Sequence, residues 1–542
     1  MRKLVAATGA SVLVAGLGSV APQAMGQTPS AGDDHGRATA QHQAQEFIGQ
    51  HARRVHGASG DTYHLQRTVG GPDGEQHLRY TRTYDGLRVI GGDFVVHEAP
   101  DGTVQGVSVA QQQAIHVGTD PQVSGHSAVQ SSRTAFTGDK VRHASKPKLI
   151  IDARTGAPQL TWATLVAGVA SDGQTPSRRL TLVDATTGKV TSSMEQITTL
   201  AKIGTTSTKS PPQEASHPAA ESGTGNGIYV GQVALDTTAT ANGFEMTDPA
   251  HGGNTTCDMN NTEYGSCDIF TDADNAWGDG TNGDRASAAV DAHYGAALTF
   301  DYYKNTYGRD GIFGDGQGVP SRVHYGDGYV NAFWDGQQMT YGDGAGNADP
   351  LVELDVAGHE MSHGISEALA HLGYSGDVGG INEANSDIYG TMIEFAADNV
   401  NDPPDYDVGE MIDINGDGTP LRYMYNPHKD GMSFNCWSQQ VPQSDPHYSS
   451  GVGNHFFFLL AEGSGSTEYG TSPTCDGSTV SGIGRQDAAK IWYHALDAYF
   501  LSDETYAQAR QHTLQSAAEL FGQDSQQYES VAAAWTAVSV TG

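Results

Sequence analysis

The sequence has few positive charges. Its 542 residues include 29 Lys and Arg against 63 Asp and Glu, which gives a formal net charge of −34 at pH 7. This excess of negative charge argues against nucleic acid and anionic membrane surfaces as partners, because both repel an acidic protein. The composition is compatible with a soluble protein that binds calcium, since calcium prefers carboxylate oxygens.

Long apolar runs are also scarce. The first one extends from Leu4 through Val20, after Met1-Arg2-Lys3 and before Ala24-Met25-Gly26. A charged start, an apolar stretch and a site of small residues predict a secretory signal peptide over residues 1–26. No later stretch reaches the roughly eighteen apolar residues of a membrane-spanning helix. We therefore expect a secreted, extracellular protein with no membrane partner.

Only four cysteines are present, and they allow three pairings. In an exported chain this number favours two disulfides. We expect the pairs Cys257–Cys267 and Cys436–Cys475, because each closes a local loop. No C-x-x-C spacing occurs, which argues against a structural zinc site held by cysteines.

The chain is too long for one hydrophobic core, so two or three folding units are expected. Residues 38–196 alternate apolar and polar positions, with hairpin signals at Asp85-Gly86 and Gly91-Gly92. Residues 205–225 are rich in Ser, Thr, Pro and Gly, a composition typical of a linker that proteases cut. We predict the maturation cut in this linker, nearer Ser222 than Thr205.

The most informative segment is His359-Glu360-Met361-Ser362-His363. Histidines four residues apart lie on one face of a helix, so both can bind one metal ion, and Glu360 is placed to accept a proton from water. Taken alone, the pattern also fits an exposed helix with satisfied polar residues. A catalytic zinc site needs a third protein ligand and an open position.

Glu383, twenty residues beyond His363, is the better candidate for that ligand. The rival pattern H-E-x-x-H-x-x-G-x-x-H requires a third histidine two residues before His371, the nearest one. Asp387 follows Glu383 by one helical turn and can accept the free N–H of a ligand histidine, which would fix its tautomer.

Several stretches between about residue 291 and about residue 454 resemble the thermolysin-like neutral metalloproteases. The amino-acid sequences of these motifs are most similar to those of the pseudolysin and vibriolysin branch. In thermolysin itself the His₂Glu zinc set is established. The stretches are Leu354–Gly364 and Gly380–Asp387 for the zinc site, Tyr329–Gly336 and Tyr341–Gly344 for a substrate-binding edge strand, and Thr419–Met424 and Asp445–Asn454 for specificity and transition-state segments.

This resemblance implies an α+β fold with a two-lobed, thermolysin-like catalytic domain. Residues 226–353 would form a β-rich N-terminal lobe with one helix near Ala288–Asn305, and residues 354–542 a mainly helical C-terminal lobe, with the zinc cleft between them. Residues 27–204 resemble a propeptide of two α+β subdomains that assists folding and inhibits the enzyme. An independent binding domain is the alternative for this region.

The resemblance further implies a secreted zinc endopeptidase that is made as a zymogen, matures by autocatalytic cleavage and acts as a monomer on proteins and peptides. One zinc ion would activate the attacking water, with Glu360 as general base. The implied residues are His359, His363 and Glu383 as zinc ligands, His447 and Tyr374 as oxyanion donors, and Asp445 as the partner that holds the His447 imidazole.

Substrate and calcium sites are implied in the same way. An extended peptide would pair with Asn331 and Ala332, and Arg422 would clamp a carbonyl. The pocket for the residue after the cleaved bond would be lined by Val356, Val408, Ile412 and Leu421, so cleavage before bulky hydrophobic residues (Leu, Phe, Ile or Val) is expected. One or two structural calcium ions would bind the acids Asp355, Glu394, Asp405, Asp407 and Glu410.

Two other functions compete with the endopeptidase. A zinc aminopeptidase would need an acidic anchor for the free amine, and a non-enzymatic zinc- or calcium-binding protein would be expected to lack Glu360 or a ligand. Gly358 is a departure from the usual helix, because alanine in a helix interior is favoured by about 1 kcal/mol over glycine. We expect local softness there.

Overall fold

The computed structural model describes residues 31–154, 156–201 and 219–541. The predicted signal peptide and most of the predicted linker lie outside the described residues. Within them, no helix combines the length and the apolar character needed to cross a membrane.

The N-terminal region forms one 10-stranded sheet, in the order β10-β9-β8-β7-β3-β2-β4-β5, with β1 on β2 and β6 on β8. Asp85 and Gly86, both with positive φ, make the predicted turn between β2 and β3. The elements are α1 (Ala31–Gln50), β1 (Asp61–Gly70), β2 (Gln76–Tyr84), β3 (Leu87–Ile90), β4 (Phe94–Glu98), β5 (Val104–Val109), α2 (Gly125–Thr134), β6 (Lys140–Ala144), β7 (Lys148–Asp152), β8 (Gln159–Val169), β9 (Pro176–Asp184) and β10 (Val190–Glu195).

The next region is strand-rich. Its seven-stranded sheet runs β11-β21-β22-β20-β16-β15 with β17 on β16, and its five-stranded sheet runs β18-β14-β13-β12-β19. The strands are β11 (Thr198–Thr199), β12 (Glu221–Asn226), β13 (Gln232–Thr240), β14 (Gly243–Glu245), β15 (Thr247–Asp248), β16 (Asn254–Thr262), β17 (Asp268–Ile269), β18 (Thr271–Asp272), β19 (Ala276–Trp277), β20 (Pro320–Tyr325), β21 (Ala332–Trp334) and β22 (Met339–Tyr341).

One long helix, α3 (Arg285–Tyr307), crosses this region where Ala288–Asn305 was expected. The Asp284 side chain accepts a hydrogen bond from the Ala286 N–H and caps its start, and Gly308 with φ 69° ends it. Ser222, near which the maturation cut is predicted, pairs with Asp236 between β12 and β13.

The C-terminal region is mainly helical. Its helices are α4 (Leu354–Ala370), α5 (Asp377–Ala397), α6 (Pro446–Ser449), α7 (Gly451–Ala461), α8 (Arg485–Ala498), α9 (Tyr506–Phe521) and α10 (Gln526–Ala537), and its short strands are β23 (Asp407–Val408), β24 (Arg422–Tyr423), β25 (Gly465–Thr467) and β26 (Gly470–Ser472). Short 3₁₀ turns span Ala52–Val55, Ala345–Asn347, Pro427–Asp430 and Val441–Gln443. The α+β fold class is confirmed.

Helices α4 and α5 approach each other at two glycines, which corrects the expectation for Gly358. A Cβ added at Gly358 would lie 2.9 Å from Ile393 Cδ1 and 3.0 Å from Gly390 Cα. A Cβ at Gly390 would lie 2.4 Å from the Asp355 carbonyl oxygen. Glycine at position 358 therefore permits close helix packing, and its lower helix propensity is offset by that contact.

Both local disulfides are present as predicted. Cys257–Cys267 closes a loop at the start of β17, with a Cα–Cα distance of 5.3 Å. Cys436–Cys475 has a Cα–Cα distance of 6.1 Å and ties the segment before α6 to the segment before α8.

Candidate active site

Three buried side chains converge between α4 and α5. His359 Nε2 lies 3.0 Å from His363 Nε2 and 3.6 Å from Glu383 Oε2, and His363 Nε2 lies 3.4 Å from Glu383 Oε1. Two imidazole nitrogens and a carboxylate at these separations are the donor set and spacing that zinc requires. Among the described residues, Glu383 Oε2 is buried without a hydrogen-bond partner, so a cation would satisfy it.

The outer nitrogen of each histidine is held by a polar side chain on α5. His359 Nδ1 lies 2.9 Å from Asp387 Oδ1, and His363 Nδ1 lies 3.0 Å from Asn382 Oδ1. Because both partners accept, each Nδ1 carries the proton and each Nε2 presents its lone pair to the centre. The sequence reasoning missed Asn382; its position directly before Glu383 was the available signal.

Asp387 is itself held by positive charge. Arg422 donates to it from Nε at 2.8 Å and from Nη2 at 2.6 Å, and Asn454 Nδ2 donates at 2.8 Å. Burial alone would raise the pKa of Asp387, but Arg422 and His359 hold that pKa below its usual value. The carboxylate therefore stays ionised and keeps the His359 tautomer fixed.

Glu360, unlike Asp387, has no such hydrogen-bond partners among the described residues. It is fully buried, and neither of its carboxylate oxygens has a hydrogen-bond partner in the described part of the chain. Burial, followed by the negative charge of Glu383, raises the pKa of Glu360 well above its usual value. A carboxyl group in this environment binds protons readily, as a general base must.

His447 and Tyr374 lie beside Glu383. Tyr374 Oη donates a hydrogen bond to Glu383 Oε1, and His447 Nε2 lies 3.3 Å from Tyr374 Oη. His447 Nδ1 lies 2.7 Å from Asp445 Oδ1. Although burial would lower it, the pKa of His447 is raised by Glu383 and Asp445, which favours an imidazole that donates from both nitrogens.

A strand from the N-terminal region occupies the cleft between these groups and β21. Thr199 of β11 lies opposite Phe333 in antiparallel pairing. The next residue, Leu200, donates its N–H to the Ala332 carbonyl at 3.0 Å. Asn331 accepts from the Ala201 N–H at 3.0 Å and donates to the Ala201 carbonyl at 2.9 Å. Asn331 and Ala332 thus pair with an extended peptide.

Two consecutive carbonyls of this strand meet the polar groups of the site. The Thr199 carbonyl accepts a hydrogen bond from His447 Nε2 at 2.6 Å, and its oxygen lies 3.4 Å from Tyr374 Oη. The Leu200 carbonyl accepts from Arg422 Nη1 at 2.7 Å. The sequence reasoning did not place these residues in the cleft, and only the apolar positions just before the linker could have suggested it.

The Leu200 side chain is fully buried. It belongs to the same apolar cluster as Val356, Val408 and Ile412, and Leu421 packs against that cluster. The four residues predicted to line a substrate pocket therefore share one large apolar core with a leucine of the chain itself.

The predicted calcium ligands lie in a buried acidic group beside α4, whose membership differs from the prediction. Carboxylate oxygens of Glu353, Asp402 and Glu410 lie within 4.8 Å of one another. Glu353 and Asp402 were not among the predicted residues, although Glu353 stands two residues before Asp355 and Asp402 three before Asp405.

The remaining predicted acids differ in their surroundings. Burial, then repulsion from Glu410 and Asp355, raises the pKa of Glu394 to about 12. Burial, then Asp405, raises the pKa of half-buried Asp407 to about 7. These five carboxyl groups cannot all carry charge next to Glu353 and Asp402 unless a cation joins them.

Three family descriptions match this chain. Residues 222–367 match "Thermolysin metallopeptidase, catalytic domain", residues 370–540 match "Thermolysin metallopeptidase, alpha-helical domain", and residues 61–110 match "Fungalysin/Thermolysin Propeptide Motif". The two catalytic matches meet in the last turn of α4, the helix that carries His359 and His363, and the third covers β1 to β5.

Curated relatives span most of the chain. It is 46% identical over 486 residues to the transglutaminase-activating metalloprotease of Streptomyces mobaraensis, covering 88% of this chain but 60% of that protein. It is 32% identical over 486 residues to bacillolysin of Bacillus cereus, with 85% and 82% covered. It is 33% identical over 488 residues to thermolysin of Alicyclobacillus acidocaldarius, with 86% and 84% covered.

Proposed function

Because the chain belongs to the thermolysin family of metallopeptidases and carries the family's propeptide motif, we propose that it is a secreted zinc endopeptidase made as a zymogen. The observation that carries this proposal is the strand in the cleft. An extended peptide lies antiparallel to β21, with one carbonyl at His447 and Tyr374 and the next at Arg422.

The chemistry follows from the residues around that strand. His359, His363 and Glu383 would hold one zinc ion, which supplies Lewis acidity and lowers the pKa of water. Glu360 accepts a proton from the attacking water and passes it to the leaving nitrogen. Asp445 fixes the imidazole of His447, which with Tyr374 donates hydrogen bonds to the carbonyl oxygen as it becomes negative. Asp387 and Asn382 orient the ligand histidines.

The substrate preference follows from the pocket around Leu200. Leu200 is fully buried in an apolar core, and such surroundings favour a bulky hydrophobic residue on the C-terminal side of the cleaved bond, because burial of its side chain is worth about 1.5–3 kcal/mol. We therefore propose cleavage before Leu, Phe, Ile or Val. The peptide in the cleft continues in both directions, through Ile197 and Ala201, which favours an endopeptidase over an aminopeptidase.

The same register singles out one bond of the chain itself. With the Thr199 carbonyl at the oxyanion donors and Leu200 in the pocket, the Thr199–Leu200 bond lies where a substrate bond would be hydrolysed. Water adds to the Thr199 carbonyl carbon, the C–N bond breaks, and the Leu200 nitrogen takes a proton. We propose this as the first, intramolecular cut, with the final N-terminus produced in the linker 205–225, nearer Ser222.

N-terminal sequencing of the maturing chain tests this assignment. Wild type should release a fragment beginning at Leu200, and Leu200→Phe should still be cut before residue 200. Leu200→Asp should slow that cut by roughly 100-fold, because a charged side chain replaces an apolar one in the pocket. Equal rates for the Phe and Asp variants would contradict the proposed register.

Casein hydrolysis by the processed protein tests the activity. 1,10-Phenanthroline should abolish hydrolysis, and zinc added back in calcium buffer should restore it. Absence of hydrolysis from a zinc-loaded, processed protein would contradict the endopeptidase and leave a binding protein as the alternative.

We also propose one or two structural calcium ions at the acidic group. Glu353, Glu394, Asp402 and Glu410 have buried carboxylate oxygens without hydrogen-bond partners among the described residues. Oxygen-only donors of this density suit calcium rather than zinc. Asp355, Asp405 and Asp407 would complete the set.

We propose that the mature enzyme is an extracellular monomer, with its propeptide as intramolecular chaperone and inhibitor.

A further inference from the structure

A second cluster of two histidines and one glutamate lies where the propeptide sheet packs on the C-terminal helices. His77 is on β2 of the propeptide, His494 is on α8, and Glu519 is on α9. Glu519 Oε2 lies 3.3 Å from His77 Nε2 and 3.5 Å from His494 Nε2. All three atoms lie within 4.8 Å of one another. The cluster therefore joins the two parts of the zymogen at one point.

Each of these side chains is held by its other polar atom. His494 Nδ1 lies 3.1 Å from Ser516 Oγ, and Tyr499 Oη donates to Glu519 Oε1. In contrast, His77 Nε2, His494 Nε2 and Glu519 Oε2 are buried with no hydrogen bond of acceptable geometry in the part of the chain that the structure describes. Metal ligands commonly show this arrangement, in which outer partners orient the donor atoms.

A chain of hydrogen bonds fixes the tautomer of His77. It starts at Glu504, whose Oε1 lies 2.7 Å from His512 Nδ1, and continues from His512 Nε2 to Ser108 Oγ at 3.1 Å. Ser108 Oγ lies 2.9 Å from His97 Nε2, and His97 Nδ1 lies 2.9 Å from His77 Nδ1. The chain crosses from the catalytic helices into strands β5, β4 and β2.

For the case in which the three imidazoles are neutral, the carboxylate at one end determines the direction of every hydrogen bond in the chain. Glu504 only accepts, so His512 donates to it and accepts from the Ser108 hydroxyl. Ser108 then accepts from His97 Nε2–H, and His97 Nδ1 accepts from His77 Nδ1–H. His77 Nε2 is left with a lone pair that faces Glu519 Oε2, which is also an acceptor. Two acceptors in contact need a cation between them.

Ligands about 2.0–2.1 Å from a tetrahedral zinc ion lie about 3.3 Å apart. The separations of 3.3 and 3.5 Å match this value and the 3.0–3.6 Å found among His359, His363 and Glu383.

We propose that His77, His494 and Glu519 form a second zinc site, which clamps the propeptide to the catalytic domain. A cavity of about 340 Å³, lined by His97, Tyr499 and Glu519 among others, lies beside the cluster, while the three donor atoms themselves are buried. Removal of the propeptide takes His77 away, so the mature enzyme keeps only two of the three ligands and loses the ion. The rival explanation is a proton shared by His77 and Glu519.

Metal counting on the uncut full-length chain tests the proposal. The Glu360→Ala chain, with its intact mass verified, is stripped with chelator, loaded with zinc alone and dialysed. Mass spectrometric metal analysis should find two zinc ions per chain. His77→Gln in the same background should leave one, and so should His363→Gln, which removes the ion of the cleft. The exposed His126→Gln variant is the matched control and should retain two.

Two further measurements guard against misfolded variants. Glu519→Gln alters the cluster from the catalytic side and should also leave one ion, with near-ultraviolet circular dichroism unchanged. Cobalt loading of the parent chain should give visible absorption of two tetrahedral ions per chain. One zinc ion in the parent chain, unchanged by His77→Gln, would overturn the second site and support the shared proton. If His363→Gln lowered the zinc count and His77→Gln did not, the second site would be refuted and the proposed zinc site of the cleft would stand.

Discussion

The two His₂Glu clusters use the same donor types at similar separations, yet their surroundings differ. The cleft cluster takes all its donors from α4 and α5, whereas the interdomain cluster takes His77 from the propeptide and its other donors from α8 and α9. Beside the cleft cluster stand Glu360, His447 and a peptide carbonyl. The neighbours of the interdomain cluster only hold its donors. A donor set thus selects a metal, and the groups around it decide whether chemistry follows.

Glu360→Ala should have the largest effect, because it removes the group that makes the cleft cluster catalytic and leaves the donors of both clusters in place. Loss of the general base should lower kcat by roughly 10²- to 10⁴-fold and leave the propeptide attached, while the zinc content stays unchanged. Peptide hydrolysis and intact mass measure the two effects. Substitution of the exposed Gln515 on α9 is the control and should change neither. Normal maturation of Glu360→Ala would show that another protease makes the cut.

Calcium withdrawal should affect the acidic group and leave zinc binding at the two histidine clusters unchanged. With free calcium at about 100 times its Kd, binding stabilises the folded enzyme by about 2.7 kcal/mol, so dialysis against calcium-free, zinc-containing buffer should lower Tm. Glu410→Gln should show a smaller calcium-dependent shift in a thermal melt. An identical shift in wild type and Glu410→Gln would argue against the proposed ligand set.

Paired substitutions of the orienting residues should sharpen the comparison. Asn382→Ala frees His363 in the cleft, and Ser516→Ala frees His494 at the interface. Each should weaken zinc at its own cluster by roughly 10- to 100-fold. Competition titrations with a zinc-binding dye measure both affinities in the Glu360→Ala chain. Only Asn382→Ala should reduce hydrolysis by the processed enzyme.

The smallest expected effect concerns the helix packing that supports the cleft cluster. Gly358→Ala places a Cβ 3.0 Å from Gly390 Cα, and backbone cannot yield as a flexible side chain does. Overpacking of this kind costs about 1–3 kcal/mol, which a denaturant melt would detect. Gly49, in helix α1, has open space around it and no positive φ, so Gly49→Ala is the control and should not destabilise the fold. Stabilisation by Gly358→Ala would contradict the packing explanation.

Local sequence patterns were enough to predict α4, the helix that carries His359 and His363. His359 and His363 are four residues apart, and Glu383 and Asp387 are one turn apart, so short-range periodicity brings each pair to one face. The resemblance in the same segments supplied the fold class, which is confirmed. The disulfide pairs followed from loop closure.

Features that depend on long-range contacts could not be predicted in this way. Leu200 reaches Arg422 across more than two hundred residues, and no periodicity in β11 indicates that partner. Glu353 and Asp402 join the acidic group through chain folding, although each looks like an ordinary surface acid in sequence. Gly358 was misjudged because helix propensity describes an isolated helix, whereas the close neighbour Gly390 belongs to another one.

The strand in the cleft also has a kinetic consequence. A bond that is delivered to the active site by its own chain is present at an effective concentration that no dilution changes. Release of the propeptide should therefore follow first-order kinetics with one half-life at nanomolar and micromolar protein. Secretion into a large volume would then not delay activation. The mean time from folding to the first turnover would be the same for every molecule, whatever the protein concentration.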